Sequence, residues 1–168
     1  MTLLKKVLPV AVLGLCGSAS AVDLSVNLTI PEMDVAEYHR PYVAIWVQHK
    51  DTKAVTNGKV WYQLDDNAEG EKWLKDMRLW WRRSGRSLEM PIDGVTGATH
   101  KPGSYEVDLH HVTRALAPGE YQLYVEAVRE VGGRELLSVD FTWPVAAPQT
   151  LTAQGETELG SLTVTFTP

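Results

Sequence analysis

Few residues in this chain have the types and spacing to do chemistry. The stretch DGVTGATHKPG, residues 93–103, sets two threonine hydroxyls and one carboxylate among glycine and alanine, with no apolar periodicity. A threonine hydroxyl is a weak nucleophile unaided. In such a stretch it either bonds its own backbone as turn material or is held out for another enzyme to modify. Gly94, Gly97 and Ala98 would give that second role thin backbone, able to enter a foreign active site. His39, His49 and His100 are scattered, and the adjacent His110 and His111 point to opposite sides of an expected strand, so no ligand spacing announces a metal. There is no G-x-S-x-G elbow and the single cysteine is Cys16. With no nucleophile–base set, the chain does not read as an enzyme.

Three basic or aromatic groups are candidate contacts for a phosphate or a partner. Arg78 and Arg82, with Arg83, line the charged side of an expected helix, and guanidinium binds phosphate in a bidentate way. Against this stands the simpler reading, that those charges face water. Trp81, at the margin of the same helix's apolar stripe, could stack on a ring or a partner surface. His39 and Arg40 sit in YHRPY at the mouth of a strand, where they bind an anion or only satisfy loop carbonyls.

The elements that must position these groups follow from pattern. Lys5 and Lys6 precede an apolar run too short to span a bilayer, and Ala19-Ser20-Ala21 fits a secretory cleavage site, so residues 1–21 are expected to leave as a signal peptide. Leu15 before Cys16 argues against a lipid anchor. Removing Lys5 and Lys6 takes 16 basic residues to 14 against 21 acidic, a net charge of −7, which argues against a nucleic-acid partner. Residues 22–168 make one domain with a proper core. DLSVNLTI (23–30) alternates strictly, and PYVAIWVQH (41–49) and KVWYQL (59–64) follow as strands. Trp73, Leu74, Met77, Trp80 and Trp81 then fall on one face of a helix at about 69–84, stopped by Gly85. SYEVDLHH (104–111), GEYQLYVEAVRE (119–130) and ELLSVDFTW (135–143) are further strands. Gly132-Gly133 makes the turn between the last two by supplying positive φ. Residues 144–155 read as a loop and SLTVTF (161–166) as the closing strand. Short strands at close spacing with one inserted helix predict an all-β, antiparallel immunoglobulin-like sandwich.

Two resemblances add to this. Asp93, Thr96, Gly97, Ala98 and Thr99 resemble, position by position, the flavin-attachment motif D-x-x-(S/T)-G-A-(T/S) of bacterial exported proteins. The resemblance implies that a flavin transferase moves FMN from FAD onto Thr99 as a phosphoester. The chain departs from the familiar flavin-binding domains after Thr99, where His100-Lys101-Pro102-Gly103 lead into a strand rather than a helix. Second, AEYHRPYVAIWV, KWLKDMRLWWRRSG and PGEYQLYVEAVREVGGRELLSVDFTW resemble a family of predicted periplasmic proteins of unknown function. Its members tend to sit near PepSY-type membrane proteins and flavin transferases, which implies a flavin-linked or iron-linked electron-transfer setting. The rival expectation is a non-catalytic binding module that docks a membrane partner and is never flavinylated.

Overall fold

A computed structural model describes residues 22–64 and 67–167; the expected signal peptide and its cleavage after Ala21 lie outside the described residues. Nine strands run in chain order: β1 (Asp23–Ile30), β2 (Tyr42–His49), β3 (Val55–Tyr62), β4 (Thr96–Ala98), β5 (Gly103–Asp108), β6 (Gly119–Val128), β7 (Arg134–Trp143), β8 (Gln149–Gln154) and β9 (Ser161–Thr167). They form two sheets, ordered β5-β1-β9-β8 and β4-β3-β2-β6-β7. All pairings are antiparallel except β3 with β4. The alternation read in β1 is real: Leu24, Val26, Leu28 and Ile30 are buried, and they meet Val43, Ile45, Val47, Leu123, Val125, Leu162, Val164 and Phe166 between the sheets. The order of the five-stranded sheet is that of the extended front sheet of a variable-type immunoglobulin domain. The corner leading into β6 agrees, because the Tyr121 hydroxyl donates to the Ala117 carbonyl at 2.7 Å, the tyrosine corner of such sandwiches.

The five-stranded sheet is covered on its other face as well. Ala44, Trp46, Val60 and Tyr62 point away from the first core and bury against Leu74, Met77, Trp80 and Val95. Burial on both faces explains why β2 reads as a nearly continuous apolar run.

The cover is not the single helix the spacing predicts. Residues Glu69–Asp76 form a 3-10 segment, Met77 leaves helical geometry at φ −74°, ψ 75°, and a short helix α1 spans Arg78–Arg83. The buried residues Leu74, Met77 and Trp80 recur every third position, which suits the three-residue turn of a 3-10 helix. That tighter pitch rotates Trp73 out of the stripe, and it is 56% exposed. Gly85 acts less as a stop than as a gap: a Cβ there would lie 2.5 Å from the Trp80 ring.

What docks α1 is a carboxylate. Glu126 of β6 is fully buried and accepts hydrogen bonds from the backbone amides of Leu79 (3.0 Å) and Trp80 (2.7 Å) and from Arg134 Nε. The first amides of a helix have no partner within it, so the sheet supplies one. The Trp80 indole donates in turn to Asn57 of β3 at 2.8 Å.

Three further expectations change. β8 lies within the segment expected to be a loop; only Leu151 and Ala153 pack against the core, both half-buried, and its strand character comes from pairing with β9. His110 and His111 are not on a strand: β5 ends at Asp108 and His110–Thr113 form a helical turn, α2, with His110 bonded to Asp108. In the β6–β7 turn the positive φ belongs to Val131, at 53°, not to Gly132 or Gly133. Those glycines make room for a buried pair instead, since a Cβ on Gly132 would lie 2.5 Å from the Arg129 guanidinium and one on Gly133 2.9 Å from Glu158.

Candidate functional site

The motif of residues 93–99 is only partly a free loop. Ile92 and Thr96 close a turn through two bonds: the Thr96 amide donates to the Ile92 carbonyl (2.9 Å) and the Ile92 amide to the Thr96 hydroxyl (2.8 Å). Thr96 is therefore turn structure. Asp93 and Gly94 stand exposed at its tip, Gly94 with φ 73° and open space around it. Thr96–Ala98 then pair in parallel with Val60–Tyr62. This corrects the expectation of thin backbone free to enter another active site. Gly97 is held against the sheet, and its lack of a Cβ lets Trp61 pack close, a Cβ there falling 2.9 Å from the indole. Ala98 is exposed at the end of the strand.

Thr99 follows directly. It is half-buried, and its hydroxyl makes no hydrogen bond to another described residue. It lines a cleft of about 450 Å³ together with His39, Arg40, Trp73, Asp76 and Arg129. Four stretches remote in sequence converge here: the loop before β2, the 3-10 segment, the end of β4 and the β6–β7 turn. Arg40 is exposed and forms no ion pair with a described residue. His39 lies between Glu37 (2.8 Å) and Glu130 (3.4 Å), so it bridges carboxylates rather than satisfying loop carbonyls. His100, beside Thr99, packs edge-on to Trp61 with centroids 4.2 Å apart. Burial first, and then the charge of Arg40, hold its imidazole below the ordinary histidine range.

Beneath the cleft lies a buried ion pair. Arg129 and Glu158 are joined at 2.8 and 3.3 Å, with side chains 6% and 4% exposed, and Glu158 also accepts from the Gly133 amide. Arg129 lies over the Tyr38 ring at 5.8 Å, and burial raises the phenol of Tyr38 against the lowering effect of Arg129.

The structure thus brings three of the sequence candidates, Thr99, His39 and Arg40, to one cleft and leaves Arg78, Arg82 and Trp81 elsewhere. Arg78 and Arg82 are exposed on α1, outside the cleft lining. Trp81 is half-buried, tilted against Trp80 at 6.3 Å and packed on the outer core, and it lies outside the cleft lining. Trp73 and Arg129 were missed. α-Helical counting puts Trp73 in the apolar stripe, whereas a three-residue count frees it. Nothing local to Arg129 signals its burial, because its partner Glu158 lies 29 positions away. Among the described residues no cluster of His, Asp and Glu could hold a metal ion.

Fold and site together define an immunoglobulin-like sandwich with a helical cover and a lateral cleft at the end of its five-stranded sheet. The chain belongs to the predicted periplasmic protein family DUF2271, whose model matches residues 23–161. No curated protein and no solved structure matches it. The family places the protein in the periplasm. Among the described residues, no helix is long and apolar enough to cross a membrane.

Proposed function

We propose that this protein is a periplasmic flavin carrier, with FMN esterified to the Thr99 hydroxyl. The observation that carries the reading is the position of that oxygen. It has no partner among the described residues, and its residue lines a cleft with Arg40, a guanidinium that forms no ion pair with a described carboxylate. The attachment balances as an exchange of phosphoesters. The Thr99 oxygen takes the phosphorus of the FMN half of FAD, the pyrophosphate bridge breaks, AMP leaves, and the hydroxyl proton passes to the transferase's base. Activation belongs to that flavin transferase and its metal; this chain presents the oxygen.

The ester would carry one negative charge, and Arg40 supplies the complementary one. Bound flavin supplies electron transfer, while the protein sets its surroundings. In this reading the chain is a carrier rather than an enzyme, and it exchanges electrons with a PepSY-type membrane protein or another periplasmic redox partner. Asp93 stands at the exposed tip of the motif, where it serves recognition by the transferase rather than any contact with the flavin.

Co-expression with a flavin transferase and intact-mass measurement tests this. The expected gain is the mass of FMN less one water, with yellow colour, and Thr99→Val should abolish both while folding normally. Modification that persists in Thr99→Val moves the acceptor elsewhere. No gain, under conditions that modify a control substrate, overturns the carrier reading and leaves a docking module. In that case Arg78→Ala with Arg82→Ala should weaken capture of the membrane partner, because both side chains are exposed without a described ion-pair partner.

A further inference from the structure

We infer that the cleft is a non-covalent dock for a planar heteroaromatic ring, and that it binds such a ring whether or not Thr99 is esterified. Two walls and a floor support this. Trp73 at 56% and Val131 at 71% have the highest exposures among the large hydrophobic side chains of the described residues, and both line this one cleft. They come from different elements, the 3-10 segment and the β6–β7 turn. Leaving an indole and a branched alkyl group in water forfeits the stabilisation that burial would give, and a flat ring against the indole recovers it by stacking.

The backbone under Val131 points the same way. Its φ of 53° lies in the left-handed region that β-branched residues avoid, although Gly132 and Gly133 follow immediately. Strain of this kind clusters at ligand clamps, and here it sets an alkyl group at the cleft rim.

The floor is electrically quiet. Arg129 is 6% exposed; its Nε and Nη2 hold Glu158, and its Nη1 is closed to solvent. Glu158 thus neutralises Arg129 beneath the cleft. With no surplus positive charge at the floor, a neutral ring suits it better than a free anion. The volume of about 450 Å³ falls within the roughly 300–1,000 Å³ of small-molecule sites. The ring of a flavin belongs to the class. A flavin tethered at Thr99 would then lie folded back over Trp73 rather than hanging in solvent.

The test uses the unmodified Thr99→Val protein titrated with riboflavin, which has the ring but no phosphate, following quenching of flavin fluorescence. Saturable quenching is expected. Trp73→Ala, at an exposed position, should weaken it roughly tenfold. Val131→Gly should weaken binding while raising the melting temperature, so a loss cannot be blamed on misfolding. Quenching that does not saturate, or equal affinity in both variants, overturns the dock. The outcome is separable from the carrier reading: mass gain without riboflavin binding sinks only the dock, and riboflavin binding without mass gain sinks only the carrier.

Discussion

Replacing Glu126 with alanine should detach the helical cover from the sheet while leaving the sandwich folded. The carboxylate is fully buried and accepts from two backbone amides and Arg134. A hydrogen bond to a charged group contributes about 1.5–3 kcal/mol, and the two amides have no other acceptor once the oxygens are gone. Arg134 adds less, because its side chain is 35% exposed and water screens the pair. The expected loss is about 3–5 kcal/mol. Against a total of about 5–15 kcal/mol for a domain, that is severe but survivable. Arg134→Ala, by contrast, leaves Glu126 held by both amides and should cost about 1 kcal/mol. Urea unfolding followed by tryptophan fluorescence measures both, and near-ultraviolet circular dichroism of Glu126→Ala should show Trp80 losing its fixed environment below the main transition. Equal costs for the two variants, or a loss under about 1 kcal/mol for Glu126→Ala, would refute the argument that this carboxylate terminates α1.

Two other expectations concern the Thr99 segment. Gly97→Ala places a methyl group 2.9 Å from the Trp61 indole, so thermal unfolding should show a loss of about 1–3 kcal/mol from overpacking; an unchanged melting temperature would mean that β4 is not pressed to the sheet. His100 is held below its ordinary value of 6.5 by burial and then by Arg40. The unfolded chain therefore takes up the proton first as pH falls. Its contribution to stability is constant above pH 6.5 and declines below it, levelling off once the folded imidazole also protonates. Denaturation midpoints at pH 7 and pH 5 should drop more for the native protein than for His100→Gln, and parallel curves would contradict this.

Most of the sandwich could be read from the sequence because its strands alternate between one dry and one wet face. β1 and the inner side of β6, Tyr121, Leu123, Val125 and Ala127, show this directly. Reading failed where a second layer changed the meaning of the pattern. Glu126 lies on the face opposite those residues, and sequence marks it as solvent-facing; only the cover makes it a buried cap. Trp73 and Trp80 are equally apolar, yet the change of pitch at Met77 sends one out and the other in. β8 carries too little buried surface to announce itself and exists through its neighbour. The candidate cleft was half legible. Thr99 sits in a recognisable motif and Arg40 in a basic turn, but their meeting depends on a parallel pairing between β4 and β3 that no local pattern encodes.

That parallel pairing has a mechanical consequence. A hydroxyl one residue beyond a laddered strand has almost no travel, since swinging it outward would mean stripping β4 from the sheet and lifting Gly97 off the indole beneath it. Whatever acts on this oxygen must come to a fixed station on the rim, and must be shaped to reach around the edge of the sheet rather than wait for a flexible arm to arrive.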